Sequence, residues 1–339
     1  MNFFRRSFKV LRFFLVLFFL GVVFSLYAAL SLWKSPVAIE LDIFPGMSVK
    51  QIANELSAKK VTRTPALFVL WTRLTGTDQK LRAGFYEFEA GMTLSEVVQK
   101  LKKGDVKFFP FQIIEGWTIA DIARSLATQD FIPGPVFIDD FRRLAHDPVF
   151  AEKIGFPGVP SLEGYLFPET YQLHRPRNAE EVLEIFCREF ENVFSAEYET
   201  RTQEINMTRH QVMTLASIIE KETGKEEERA LISSVFQNRL AKGMPLQTDP
   251  TVIYGLRNFD GNLRKHDLLN PHPYNTYIHK GLPPGPIASV GRAAIQAALY
   301  PAQTDYLYFV SRNDGSHQFS STLSEHVKAV MEYQIRQHR

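Results

Sequence analysis

Four basic residues, Arg5, Arg6, Lys9 and Arg12, stand directly before an uncharged, mostly apolar run from Phe13 to Trp33. A helix of that length rises about 30 Å, the thickness of a bilayer's hydrocarbon core. Only Lys34 closely follows the run. The excess of positive charge on the upstream side orients such a segment with residues 1–12 in the cytoplasm and everything after Lys34 outside. A cleaved signal peptide would have a shorter apolar core, roughly 7–15 residues, followed by a small-x-small site. Ala29-Leu30-Ser31 matches that site poorly. The spacing therefore predicts a retained transmembrane helix over 13–33 and an extracytoplasmic remainder.

That remainder is long enough for two domains with packed cores. Its single cysteine, Cys187, excludes an internal disulfide. It falls in a helical-looking run, EIFCREF, where a buried, inert thiol is the expectation. The nine histidines are scattered without metal-ligand spacing, so neither a metal nor a cofactor is expected. A net charge of +2 offers no field for nucleic acid.

Three segments resemble one another: IFPGMSVKQIANELSAKKV (43–61), FEAGMTLSEVVQKLKKGDV (88–106) and IIEGWTIADIARSLATQDF (113–131). Each reads as a strand, a turn at Gly46, Gly91 or Gly116, then a helix capped by Ser48, Thr93 or Thr118. Thr93 and Glu96 form a capping-box pattern. A second helix over 66–76 and a strand over 83–89 complete a β-α-α-β-α order for 39–106. This stretch resembles a LysM-like module, a fold associated with glycan binding; a plain spacer between membrane and enzyme is the alternative. Residues 107–339 read as one larger mixed α/β domain, with helices at 179–194, 210–223, 227–243, 289–300 and 322–337, strands at 106–114 and 305–311, and loops at 161–173 and 244–288. The fold class is α+β.

Glu220 is the sharpest candidate for chemistry. Val212, Leu215, Ala216 and Ile219 mark one buried stripe of its helix, Lys221 lies opposite, and Glu220 and Glu222 fall on the two shoulders. The apolar lead-in Ser217-Ile218-Ile219 could desolvate Glu220, which raises a carboxyl pKa and makes a general acid. Periodicity alone favours a solvated helical glutamate, because most helical glutamates are exposed. The flanking loops are dense in amides, tyrosines and prolines, which suits a sugar groove or simply turns.

EGYLFPETY (163–171), ASIIEKET (216–223), LQTDPTVIYG (246–255), YNTY (274–277) and GLPPGPI (281–287) together carry a resemblance over nearly the whole chain. It resembles the endolytic murein transglycosylase family known as MltG or YceG. The resemblance implies that Glu220, first in the EKE-like triplet, is the catalytic acid and base. It implies cleavage of the MurNAc–GlcNAc bond of nascent peptidoglycan strands into 1,6-anhydro-MurNAc ends, which would terminate elongation. It places the protein at the outer face of the bacterial cytoplasmic membrane, near the cell-wall synthases. Glu163, Glu169, Gln247, Asp249, Tyr254, Asn275 and Tyr277 become candidate substrate-binding residues, each equally suited to a structural role. A hydrolytic muramidase and a non-catalytic, membrane-tethered glycan-binding scaffold are the alternatives.

Overall fold

A computed structural model describes residues 13, 15–21, 25 and 34–335. The expected cytoplasmic start, most of the expected 13–33 span and the last residues of the expected C-terminal helix lie outside the described residues. Among the described residues, no helix is long and apolar enough to cross a membrane.

The chain divides into two compact units. The first ends at Phe109 and also takes in Gln172–Arg175; the second comprises Pro110–Tyr171 and the chain from Pro176 on. In the first unit β1 (Ile39–Ile43) is followed by α1 (Val49–Ala58), α2 (Pro65–Leu74), β2 (Gly84–Phe88) and α3 (Leu94–Lys103). The two strands pair antiparallel, Ile39 opposite Phe88 and Ile43 opposite Gly84. The helices begin where local chemistry dictates. Ser48 caps α1 reciprocally with Gln51, and Thr93 caps α3 with Glu96. The turn residues Gly46 and Gly91 both have positive φ, which a side chain would resist. Leu41, Ile43, Ile52, Leu56, Phe68, Tyr86, Phe88, Val97 and Leu101 form the core of this unit.

Beyond β3 (Phe109–Gln112) come α4 (Ile119–Leu126), α5 (Pro135–Ala145), α6 (Pro148–Lys153) and β4 (Thr170–Leu173), the partner of β3. Then follow α7 (Ala179–Val193), α8 (Ala196–Glu204), α9 (Arg209–Glu222), α10 (Glu226–Ala241), α11 (Asp249–Gly255) and α12 (Arg292–Leu299). The hairpin β5 (Tyr308–Ser311) and β6 (His317–Ser320) precedes α13 (Leu323–Val330). Mixed helices with small two-stranded sheets make the fold α+β.

The periodic helices fall where their apolar spacing places them. Two expected loops, and one stretch left unassigned, hold further elements. Within 244–288, Asp249–Gly255 is a helix started by Pro250 in its first turn, where a missing N–H costs nothing. Thr170–Leu173, in the loop expected over 161–173, is a strand because it has β3 to pair with. His317–Ser320 likewise is a strand opposite β5.

Candidate active site

Thr208 caps α9 by accepting from Gln211 N–H, and Gln211 returns the bond to the Thr208 backbone. The predicted stripe of Val212, Leu215, Ala216 and Ile219 is buried, but so are Met213, Thr214, Ser217 and Ile218. The helix is enclosed all round, with α10 and α12 packed on it. Its hydroxyls turn inward at little cost, because each finds a partner. Thr214 Oγ1 donates to the His210 carbonyl at 2.7 Å, and Ser217 Oγ donates to the Thr214 carbonyl at 2.8 Å.

Those polar positions are where a second segment docks. The chain from Pro284 to Gly291 runs along α9 in register. His210 Nε2 donates to the Pro284 carbonyl at 2.8 Å, Ile287 N–H donates to Ser217 Oγ at 3.0 Å, and Gly291 N–H donates to Glu220 Oε2 at 3.0 Å. The turn after β3 joins the same place. Gly116 N–H donates to Ser289 O, Ser289 N–H to Trp117 O, and Lys221 Nζ to Gly116 O.

Glu220 thus ends in a fixed environment, its side chain only 5% exposed. Oε1 accepts from Arg229 Nη2 at 3.2 Å, and the Arg229 side chain is 10% exposed. Gly291, which holds Oε2, caps the N-terminus of α12, where a helix dipole favours negative charge. The apolar wall expected around Glu220 is replaced by a guanidinium and a helix N-terminus. The carboxyl held above its usual range here is Glu115, by burial first and then by the charge of Glu220, with Arg229 opposing.

The other candidates separate into groups. Glu163 is buried, and accepts from Ile119 N–H at the start of α4 (3.0 Å) and from Tyr254 OH (3.1 Å). The Tyr254 ring packs on Tyr274 at 4.8 Å. Tyr277 OH donates to Asp249 at 2.6 Å on the exposed side of α11. Asn275 is a loop brace. It is buried, its Nδ2 donates to the carbonyls of Leu268 and Asn270, and its Oδ1 accepts from Tyr277 N–H. Gln247 is exposed at φ +50°, with its N–H bonded to Thr276 O. Glu169 is exposed, and its carboxyl accepts from Thr170 N–H. Among the described residues, no three His, Cys, Asp or Glu side chains are grouped as metal ligands.

Glu222 accepts the Thr248 hydroxyl, and burial pushes its carboxyl up to about 7, as it does that of Glu163. Both therefore bind a proton more readily folded than unfolded. The stability this contributes is present below about pH 4.5 and is lost as pH rises through about 7. Unfolding free energy should fall between pH 5 and 8 by up to ~1.4 kcal/mol per pH unit for each group, and melting temperature with it. Glu163→Gln and Glu222→Gln should flatten that slope in thermal unfolding scans; an unchanged slope in both would remove these carboxyls from the account.

Glu115, Arg229, Gly291 and Thr248 escape the sequence reading. One signal was present for Glu115. It precedes the turn glycine of the third repeat, where the first two copies carry Pro45 and Ala90.

Comparison with known proteins sets this geometry in context. The profile of the YceG-like family matches residues 41–332. An endolytic murein transglycosylase of Bacillus subtilis (strain 168) is 34% identical over 314 residues, covering 88% of this chain and 86% of that protein. Proteins of the same name from Streptococcus pneumoniae strains D39 and R6 are 27% identical over 325 residues, covering 87% of this chain and 58% of theirs. The crystal structure of a yceG-like protein from Listeria monocytogenes aligns with a TM-score of 0.58 at 33% identity, covering 86% of this chain and 98% of that one.

Proposed function

The chain belongs to the YceG-like family, and on that premise we propose that it is an endolytic lytic transglycosylase of peptidoglycan whose acid and base is Glu220. The observation that carries the residue assignment is the placement of its carboxyl. It is nearly enclosed at the end of a buried helix and fixed by Arg229 and by the Gly291 N–H.

One carboxyl suffices for this chemistry. Glu220 gives its proton to the glycosidic oxygen as the bond from muramic C1 breaks. The same carboxylate then takes the proton of the C6 hydroxyl as O6 bonds to C1, so Glu220 ends protonated and no water is consumed. The nucleophile belongs to the same sugar, so its effective concentration is already high. The nearness of Glu115 is the feature that would suit a hydrolase instead, because glycosidases that use water employ two carboxyls. Product masses decide. Incubating the protein with purified peptidoglycan should release 1,6-anhydro-muropeptides, and reducing ends in their place would make it a muramidase.

The basic cluster before Phe13 supports a single-pass anchor in the cytoplasmic membrane with the two units outside, close to the synthases whose strands it would terminate. A reporter fused after Arg339 should work only outside the cytoplasm; activity of a cytoplasm-only reporter there would refute this orientation. The first unit would act as a LysM-like glycan-binding module. Its groove of about 680 Å³ between α1 and α2 presents polar Ser48, Lys50, Asn54 and Arg73 beside apolar Val69 and Leu70, a mixture that suits a sugar. That role requires weaker binding to sacculi once the unit is removed.

A further inference from the structure

We propose that Glu115 is a positioning residue of this site, its carboxyl set against Gly291 beside that of Glu220 so that its charge bears on the proton transfer there. The proposal rests on the role given to Glu220 above and extends it.

The glycine is the pivot. Its N–H donates to Glu220 Oε2 at 3.0 Å. A Cβ built on the same residue would lie 1.8 Å from Glu115 Oε1 and 2.3 Å from its Cδ. The Glu115 carboxyl occupies the space a side chain would take, so both carboxyls are set against one residue. The backbone of Glu115 is held as well, because Gly116 donates to Ser289 O at 2.8 Å and accepts from Lys221 Nζ at 3.1 Å.

The charges facing the pair are Arg229 and Glu226 from α10, Lys221 from α9 and the N-terminal dipole of α12. Arg229 reaches Glu220 through Nη2, while its buried Nε has no hydrogen-bond partner among the described residues. The guanidinium is therefore not saturated by Glu220, and it also acts on Glu115. Two neighbouring carboxylates oppose each other's ionisation. The upward shift at Glu115 agrees in direction.

The consequence is catalytic. Glu220 accepts two hydrogen bonds that suit its anion, yet the reaction must begin with a proton on it. A negative charge at Glu115 opposes a second negative charge beside it and so favours the protonated acid from which the reaction starts. Although part of its carboxyl is desolvated, the Glu115 side chain reaches solvent and can exchange protons with it.

The test is the pH profile of anhydro-muropeptide release from purified peptidoglycan by the full-length protein in detergent, between pH 4.5 and 8.5. Glu115→Gln should move the alkaline limb down by about half to one pH unit. On that limb the rate falls roughly threefold to tenfold, while the acidic plateau stays near wild type. Glu115→Asp keeps the charge and should restore most of the limb. Gly291→Ala supplies an independent arm. Its φ of −76° suits alanine, and the new methyl need only push aside the end of the Glu115 side chain. It should shift the limb as Glu115→Gln does. An unmoved limb in folded Glu115→Gln protein overturns the proposal, as does a uniform loss of rate at every pH, the mark of a merely structural role. If Glu115→Gln fails to fold, Gly291→Ala decides by the same reading. Release that survives Glu220→Gln would instead remove the reading on which the proposal rests.

Discussion

Glu220→Gln should lose nearly all release of anhydro-muropeptides. Glutamine keeps the size of the side chain and an oxygen to accept from Gly291 N–H, but it has no proton for the leaving oxygen. General acid–base groups contribute ~10²–10⁴-fold, so a fall of at least about a hundredfold is expected. The fold should survive with a measurable cost. Arg229 loses its charged partner, and a hydrogen bond to a charged group contributes about 1.5–3 kcal/mol. Glu115 stands close enough to take over part of that partnership, which limits the loss. Circular dichroism should therefore show a folded chain with a melting temperature lowered by several degrees. The paired variant is Glu222→Gln. Its carboxyl faces Thr248, not the Glu220 cluster, so it should leave the rate within about tenfold of wild type, a far smaller effect than a lost proton donor. Near-wild-type release from folded Glu220→Gln protein would mean that another residue supplies the proton.

Gly164→Ala should destabilise the second unit by about 2–5 kcal/mol, combining left-handed backbone strain with overpacking. Gly164 has φ +82°, and a Cβ there would sit 2.4 Å from Pro286 Cβ, 2.8 Å from Pro286 Cγ and 3.3 Å from the Ala288 carbonyl. A proline ring and a backbone cannot turn away as a flexible side chain can. The obstructed segment is the one that leads to Gly291, so relief of the clash would also shift the N–H that holds Glu220. Activity should fall with stability. Gly158→Ala is the control, with φ +76° and no atom within 4 Å of the added methyl. It carries the strain alone, about 1–2 kcal/mol. Equal melting temperatures for the two variants would show that the approach of Pro286 to Gly164 is looser than described.

Glu163 illustrates how a motif residue can brace other elements of the fold. The sequence marks it through EGYLFPETY, and the structure buries it where it braces the start of α4 and the Tyr254 ring. Asn275 similarly stands in a conspicuous motif and spends its amide on its own loop.

The amino-acid sequence by itself determined most of the helices and their starts. The capping pairs Ser48–Gln51 and Thr93–Glu96, the helix ending at Glu222 and the α+β succession all rest on hydrogen bonds or apolar spacing within a few residues. Such signals are local and are read directly. Family likeness then singled out Glu220. Only the tertiary structure decided what surrounds that carboxyl. Arg229 follows one turn-linked helix later, Gly291 comes 71 residues downstream, and the Glu115–Gly116 turn is brought back over 105 residues to lie against Lys221. No periodicity records that Gly291 lacks a side chain because Glu115 fills the space. Nor does any pattern show that α9, which reads as a one-sided amphipathic helix, is enclosed because Thr214 and Ser217 return their hydroxyls to the helix backbone and the Pro284–Gly291 chain covers them. Those facts arise from packing between distant segments, where complementarity of shape and charge selects partners that local spacing cannot encode.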